Sequence, residues 1–375
     1  MRGRLGLAAI GVVLMIVPSA HGFYPGLRRQ LDRVNSRLAG HLVDYTANHG
    51  CDRRLWSAAL CQKRDLYVYL PPQFDPCQRY PAMIWMHAMH QDEKSFLEVV
   101  ELFDHAMVTG RLPPFLIAVP DGSINGSPCL SNAGSFFINS KAGRFEDYVI
   151  QDVWGFLVAH YPVRPEPEAH ILSGVSMGGF GAFNLGIKHR HCFRIVMAAF
   201  PPLNLRWVDC HGRYRANFDP CCWGWRVALR PHEVVGRLYG GLVPIRIKRL
   251  LDPLVGRGPD AIAIISRENP IEMLATYGVQ PGDLAMYIGY GGKDEFNVDA
   301  QVESFVCCAR RRGLEVAVDY EPKGEHDWRT GAKLFPSAAA WLAPQVAPYA
   351  PGGVGRPASE RPTACRPSAE PSPPP

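Results

Sequence analysis

Residues 174–179, Gly-Val-Ser-Met-Gly-Gly, constrain the folding of this chain more than any other stretch. An apolar run at 169–172 precedes them, and a helix-compatible segment at 180–189 follows. Strand, sharp turn and helix predict a nucleophile elbow, in which the turn lifts a serine out of a sheet. Glycines belong there because Cβ atoms would collide with the neighbouring strand and helix. Ser176 is therefore the candidate nucleophile, and the amide of Met177, at the helix start, is a candidate oxyanion donor.

Apolar runs of strand length alternate with helical patterns along most of the chain. Continuous apolar runs are typical of strands buried on both faces. The alternation predicts an α/β fold with a mostly parallel central sheet and helices on both faces. Apolar residues make up 47% of the 375, enough for a sizeable core. The main runs are 66–70, 82–86, 115–119, 195–199, 284–288 and 316–320, and the helical patterns are about 94–108, 145–161, 299–312 and 334–342.

Residues 203–275 break this alternation and are rich in tryptophan and arginine. We interpret them as an insertion above the sheet edge, which acts as a lid or substrate wall. Trp207, within it, is a candidate substrate contact. The alternative is a structural elaboration without a role in binding.

Both chain ends differ in composition from the rest. Arg2 and Arg4, an apolar run at 5–17 and small residues near 20–22 are typical of a secretory signal peptide, here 1–22. The run is short for a membrane span, although an uncleaved anchor is the alternative. The folded domain is then 23–345, and the tail at 346–375, rich in proline, is expected to be disordered. A secreted or periplasmic location follows.

Composition limits the cofactors and partners. In an exported chain, several of the 11 cysteines should form disulfides, and Cys51 and Cys61 flank a predicted hairpin that would let them pair. The cysteines and histidine at 210–211 and 221–222 fit no standard zinc spacing, so we predict no metal and no cofactor. The net charge is only +5 and no basic patch is interleaved with aromatic residues, which argues against nucleic acid as a partner.

A serine hydroxyl needs a contacting base and a group that orients this base. Loops at the carboxyl ends of parallel strands meet in one crevice, and Asp294 and His326 each follow a predicted strand. The order Ser, Asp, His is that of the α/β-hydrolase triad. His326 would accept the proton of Ser176, and Asp294 would orient His326. Glu295 and Asp299 are alternative acids.

The loop after the predicted strand at 82–86 should supply a second oxyanion donor. Residues 87–89, His-Ala-Met, occupy that place, and we favour the amide of Met89. His90 or Asp92 is either a substrate contact or a polar group of the loop.

Further motifs stand around the elbow block at 145–189. They are Tyr-Val-Tyr-Leu-Pro-Pro from residue 67, Gly-Lys-Asp at 292–294 and His-Asp-Trp at 326–328. In these motifs, over about 60–345 apart from the insertion, the chain resembles the putative-esterase family. This family includes esterase D (S-formylglutathione hydrolase), feruloyl and acetylxylan esterases and the mycobacterial mycolyltransferases.

The resemblance implies an α/β-hydrolase fold and action on carboxylic esters without a metal. It also implies Ser176 as nucleophile, Asp294 as acid, His326 as base, and amides near Met89 and Met177 as the oxyanion hole.

Three functions remain open from the sequence. The first is an exported serine esterase that forms an acyl-enzyme on a small-molecule, polysaccharide or lipid ester. The second is an acyltransferase that passes the acyl group to a sugar or lipid alcohol. The third is a non-catalytic carbohydrate-binding protein on the same scaffold. Oligomeric state and the acyl and alcohol parts of the substrate stay undetermined.

Overall fold

Eight strands form the central sheet of the computed structural model, which describes residues 25–47, 51–129, 134–238 and 242–352. In chain order they are β1 (His41–Tyr45), β2 (Leu66–Leu70), β3 (Ala82–Met86), β4 (Leu116–Pro120), β5 (His170–Val175), β6 (Ile195–Ala199), β7 (Ala285–Gly291) and β8 (Ala317–Glu321). Across the sheet the order is β1-β2-β4-β3-β5-β6-β7-β8. Strand β2 is antiparallel to β1 and β4, and all other neighbours are parallel. The mostly parallel sheet predicted from the sequence is therefore confirmed.

Nine helical segments connect or flank these strands within the described residues. They are α1 (Pro25–Asn35), α2 (Val100–Val108), α3 (Phe145–Asp147, continued by a π-helical segment Tyr148–Val153 and by Trp154–His160), α4 (Met177–Lys188), α5 (Ile247–Val255), α6 (Ala261–Glu268), α7 (Pro270–Thr276), α8 (Val298–Arg311) and α9 (Trp328–Val346). Short 3₁₀ turns lie at Glu93–Glu98, Pro167–Ala169 and Ala347–Tyr349.

Helices cover both faces of the sheet, as the fold class requires. Successive side chains of a strand point to opposite faces, so Ile171 and Leu172 of β5 belong to different apolar clusters. One cluster packs the sheet against α1, α2 and α9, and the other packs it against α3, α4 and α8. Because the strands from β3 to β8 are parallel, the loops after β5, β7 and β8 all emerge at one edge.

The insertion lies between β6 and β7 and contains α5, α6 and α7. Two hairpins, Trp207–Asp209 with Trp223–Trp225 and Val234–Leu238 with Val243–Arg246, complete it. Lys188 at the end of α4 contacts the carboxylates of Glu146 and Glu268, each at 2.7 Å. Since Glu268 belongs to α6, this nearly buried ion-pair cluster fastens the insertion to the helices beneath it.

The cysteines pair differently from the expectation. Cys51 and Cys61 are free and exposed, so the suggested bridge between them is wrong. A disulfide instead joins Cys210 to Cys222 across the first hairpin of the insertion. Its two sulfur atoms lie near His211, but sulfur atoms joined in a disulfide are not thiolate ligands.

The last helix is longer than the pattern at 334–342 predicted. The side chain of Asp327 accepts a hydrogen bond from the amide of Thr330 at 2.9 Å and so caps the N-terminus of α9. The helix therefore begins at Trp328, six residues before the predicted start. The predicted signal peptide at 1–22 and the tail beyond residue 352 lie outside the described residues. Within the described part of the chain, no helix combines the length and apolar character that crossing a bilayer requires.

Candidate active site

Ser176 lies on a sharp turn between β5 and α4, as the elbow pattern predicts. Its backbone adopts φ 54° and ψ −115°, a conformation that L-residues rarely adopt. The amide of Ser176 donates a hydrogen bond to the carbonyl of Ala199 on β6 at 2.8 Å, which holds the strained turn. The turn leaves the Ser176 side chain at the carboxyl edge of the sheet.

The glycines around Ser176 let three backbone segments touch. A Cβ atom on Gly178 would lie 2.0 Å from the carbonyl oxygen of Met86, at the end of β3. A Cβ atom on Gly174 would lie 2.5 Å from the carbonyl carbon of Gly178. Only glycine fits where backbone segments come this close together. The two glycines therefore permit the backbone conformation of Ser176 and take no part in the chemistry.

We expect Gly178→Ala to lower the free energy of unfolding by about 3 kcal/mol, because the clash is with backbone that cannot rotate away. Gly155→Ala is the matched control. Gly155 lies in α3, and a Cβ there would meet nothing within 4 Å. Because alanine has a higher helix propensity than glycine, Gly155→Ala should raise the free energy of unfolding by about 0.5–1 kcal/mol. Urea unfolding of both variants tests this, and equal unfolding midpoints would contradict the close packing.

Ser176, His326 and Asp294 form a continuous hydrogen-bonded chain. The Oγ atom of Ser176 lies 2.8 Å from Nε2 of His326, and Nδ1 of His326 lies 2.6 Å from Oδ2 of Asp294. The second carboxylate oxygen of Asp294 accepts from the amide of Phe296 at 2.8 Å. The carboxylate therefore fixes the tautomer with hydrogen on Nδ1, which leaves Nε2 free to accept the serine proton.

The three candidate acids have different surroundings. Asp294 contacts the imidazole, whereas Glu295 accepts a hydrogen bond from the backbone amide of His326 at 3.0 Å. Asp299 lies in the first turn of α8, where burial raises the pKa of its carboxyl group to about 6. The geometry thus brings Asp294 to His326 as the sequence analysis favoured, with Glu295 supporting the loop that carries the histidine.

His326 is enclosed by aromatic rings. The ring of Phe200 lies 5.1 Å from its imidazole, and that of Phe296 lies 5.0 Å away, measured between centroids. Burial by itself lowers the pKa of His326, but the charge of Asp294 and the hydrogen bond to it outweigh burial, so the pKa is raised.

The loop after β3 is held by a buried histidine. His87 Nε2 accepts from the amide of Gly122 at 2.9 Å, so Nδ1 carries the hydrogen and donates to the carbonyl of Ala88 at 2.8 Å. Burial lowers the pKa of His87, which favours this neutral ring. Met89 follows directly and lines the same cavity as Ser176 and Met177. Both predicted oxyanion residues therefore lie beside the nucleophile.

The cavity beside Ser176 and His326 has a volume of about 70 Å³. Met89, Phe136 and Phe296 line it from the hydrolase core, and residues of the insertion line it as well. Of the 17 described residues that line the cavity, the sequence analysis identified Ser176, His326, Met89 and Met177 and missed the others. Phe296 and Gln301 follow Asp294 closely in the sequence, which could have indicated that they lie near the site. The insertion residues share no periodic pattern that would have indicated the same. The insertion contributes Leu205, Tyr214, Arg226, Leu229, Val235 and Leu250, among others.

Two predicted substrate contacts lie elsewhere. Trp207 is fully buried, and its indole nitrogen donates to the carbonyl of Tyr214 at 3.0 Å, so it supports the wall from behind. The imidazole of His90 binds the carbonyl of Cys129 at 2.9 Å. The structure places neither of them among the described residues that line the cavity. A large aromatic ring suits packing as well as ligand binding, so the residue type of Trp207 does not by itself indicate a substrate contact.

Known proteins resemble the chain over most of its described length. Residues 57–339 match the family described as Putative esterase. S-formylglutathione hydrolase of Mus musculus is 26% identical over 223 residues, which cover 54% of this chain and 72% of that protein. Acetyl esterase of Caldicellulosiruptor saccharolyticus is 22% identical over 214 residues, covering 56% and 69%. A solved ferulic acid esterase shares the fold, with a TM-score of 0.59 and 15% identity over 82% of this chain and 99% of that one.

Proposed function

The chain belongs to the family described as Putative esterase and is a carboxylic ester hydrolase, and from this premise we propose an exported serine esterase that works through Ser176, His326 and Asp294. The observation that carries the proposal is the hydrogen-bonded chain from Ser176 Oγ through His326 to Asp294, with links of 2.8 and 2.6 Å. Unassisted serine is a weak nucleophile, and this arrangement supplies the base and its orienting carboxylate.

In the proposed mechanism, the Oγ–H bond of Ser176 breaks as Oγ bonds to the ester carbonyl carbon. The proton passes to Nε2 of His326, and the carbonyl electron pair moves onto oxygen. The amides of Met89 and Met177 stabilise this oxyanion, and Asp294 stabilises the imidazolium. The oxyanion then collapses, the alkoxide leaves and takes the proton from His326, and an acyl-enzyme remains. Water repeats the sequence, releasing the carboxylic acid and restoring Ser176.

The raised pKa of His326 predicts the pH at which activity is lost on the acidic side of the pH profile. Protonated imidazole cannot accept the serine proton, so kcat/KM should rise with pH and reach half its maximum above about pH 6.5, the usual histidine value. Asp294→Asn should move the limb to lower pH, since the carboxylate charge raises the pKa. Hydrolysis of a neutral ester measured from pH 4.5 to 9 tests this. A limb at or below pH 6, unchanged in the variant, would contradict it.

Export and the choice of acyl acceptor are further parts of the proposal. The signal-like residues 1–22 and the disulfide between Cys210 and Cys222 support passage into an oxidising compartment. Water is the proposed acceptor. Incubating the enzyme with an ester and an added sugar or lipid alcohol, followed by mass spectrometry of the products, separates hydrolysis from acyl transfer.

The proposal is tested with phenylmethylsulfonyl fluoride and with 4-nitrophenyl acetate. We expect one sulfonyl group per chain, located on Ser176 by peptide mass spectrometry, together with loss of ester hydrolysis. A non-catalytic binding protein would remain unlabelled and would release no 4-nitrophenol. Labelling of another serine with parallel loss of activity would also contradict the assignment.

A further inference from the structure

The positive charge of the chain is concentrated in residues 226–249, within the insertion. This stretch contains six arginine or lysine side chains and one acidic side chain, so its formal charge is +5. The whole chain also has a formal net charge of +5, so all other residues together are balanced. The acidic side chain, Glu233, binds both terminal nitrogens of Arg226. Glu233 therefore offsets Arg226 and not the other five basic side chains.

The second hairpin of the insertion lies in this stretch, and its inner face packs over the candidate active site. Residues directly opposite each other in an antiparallel pair lie on the same face. Gly236 is opposite Ile245, which is fully buried. A Cβ atom on Gly236 would lie 2.0 Å from the ring of Phe296, and that ring contacts His326. The inner face of the hairpin is therefore packed against the aromatic surroundings of the candidate catalytic histidine.

The opposite face of the hairpin is basic and exposed. Arg237 is opposite Pro244, and Arg246 is two residues further along the strand, so these side chains share one face. Leu242, two residues before Pro244, continues the row by the same alternation. Both arginines are exposed, and so is His232, whose Nδ1 accepts from Arg246 at 3.4 Å. We call Arg237, Leu242, Arg246 and His232 the outer face.

Leu242 gives the outer face an apolar component. It is 82% exposed, the highest value among the large apolar side chains of the residues that the structure describes. Its neighbour Val243 is also exposed. Exposed aliphatic side chains next to arginines are typical of segments that lie on an anionic lipid surface. There the headgroups attract the guanidinium groups, and the acyl region takes up the apolar side chains.

Other polyanions fit the outer face less well. An acidic polysaccharide would attract the arginines but offers no apolar region for Leu242. Single-stranded nucleic acid is bound largely by stacking of its bases on aromatic rings, and the outer face contributes only the ring of His232.

The chain on both sides of the hairpin connects the surface of the insertion with the cavity. Leu229 and Ile247 line the cavity beside Ser176, and they also line a surface groove together with Val227 and Pro231. The groove and the cavity are therefore separated by these two side chains.

We propose that the outer face docks the protein on an anionic lipid surface. Docking would hold the cavity beside Ser176 near esters carried by that surface. Docking itself does not depend on the proposed function, because a protein can bind lipid without hydrolysing it.

The test is sedimentation with lipid vesicles, using Ser176→Ala protein so that no lipid is consumed. The vesicles contain phosphatidylcholine alone or with about one-third phosphatidylglycerol, which is anionic. We expect the anionic vesicles to bind the protein about 10-fold or more tightly than the neutral ones. Added salt should weaken this binding, since it screens charges at a surface.

Variants of the outer face locate the binding. Arg237→Gln combined with Arg246→Gln should weaken binding to anionic vesicles by about 10-fold or more. Leu242→Ser should weaken it by about threefold or more, because less apolar surface leaves water. Thermal unfolding checks that the variants fold, and mass spectrometry checks that all carry the same N-terminus, since residues 1–22 are themselves basic and apolar.

The matched control is Arg311→Gln combined with Arg312→Gln. These two arginines are exposed at the C-terminal end of α8, at the sheet edge opposite the candidate active site. The control removes the same charge as the double variant of the outer face. Binding should stay within about twofold of the parent protein if the outer face is what meets the lipid.

The outcomes are distinct. Equal binding to neutral and anionic vesicles overturns the inference, and so does full binding by the variant that lacks Arg237 and Arg246. Binding to polygalacturonate but not to vesicles, dependent on both arginines and not on Leu242, would identify an acidic polysaccharide as the partner and overturn it too. All these results leave the proposed function intact. Failure of the wild type to hydrolyse 4-nitrophenyl acetate overturns the proposed function and not the docking.

Discussion

Ser176→Ala is expected to lower kcat/KM for 4-nitrophenyl acetate by about 10⁴-fold or more. The variant removes the atom that forms the acyl-enzyme, so His326 has no proton to accept and no covalent intermediate can form. Ser176 is 4% exposed and its side chain already contacts His326, so loss of one oxygen should leave the fold intact. Initial rates with the purified variant, corrected for spontaneous hydrolysis, provide the measurement.

Ser173→Ala is the control for this prediction. Ser173 is on β5, three residues before the nucleophile, and is similarly buried. It lies in register with Trp85 and Met197, on the sheet face that packs against α2 and α9. Among the described residues, His326 hydrogen-bonds to Ser176, Asp294 and Glu295 and not to Ser173, so we expect less than a threefold change. Turnover by Ser176→Ala close to that of the wild type would end the proposal.

Asp294→Asn is expected to lower kcat/KM by about 10³-fold, equivalent to about 4 kcal/mol of transition-state stabilisation. The amide nitrogen of asparagine favours the wrong histidine tautomer, and the positive charge that develops on His326 loses its counter-ion. The carboxylate is fully buried and 2.6 Å from the imidazole, so solvent cannot replace it. Steady-state kinetics at pH 8 test this.

Glu295→Gln and Asp299→Asn separate the acids that the sequence left open. The glutamine side chain can still accept from the backbone amide of His326, so Glu295→Gln should cost less than 10-fold. Asp299 lies in the first turn of α8 and should behave similarly. If either variant lost as much activity as Asp294→Asn, the acid would have to be reassigned.

Local patterns were sufficient to predict the fold. The turn at Ser176 depends on glycines next to it in the chain, and each buried strand appears as an apolar run. The resemblance to the esterase family rested on such short motifs and is confirmed. The π-helical segment Tyr148–Val153 within α3 could not be predicted from the sequence, because its apolar residues have a spacing that a regular α-helix also satisfies.

Long-range contacts were harder to predict. The cavity wall joins Met89, Arg226 and Gln301, which come from three distant segments. Residue type alone does not locate Trp207, whose buried ring packs inside the insertion. The disulfide between Cys210 and Cys222 also depends on a hairpin that the sequence did not reveal.

The amino-acid sequence by itself determined the parallel sheet, the serine turn and the order of the three candidate catalytic residues, because turn chemistry and apolar periodicity act between near neighbours in the chain. Only the tertiary structure decided which carboxylate meets His326 and which side chains line the cavity beside Ser176. Those choices depend on side-chain directions that are set by packing between segments distant in the chain: Asp294 and His326 are 32 residues apart, and Ser176 and His326 are 150 apart.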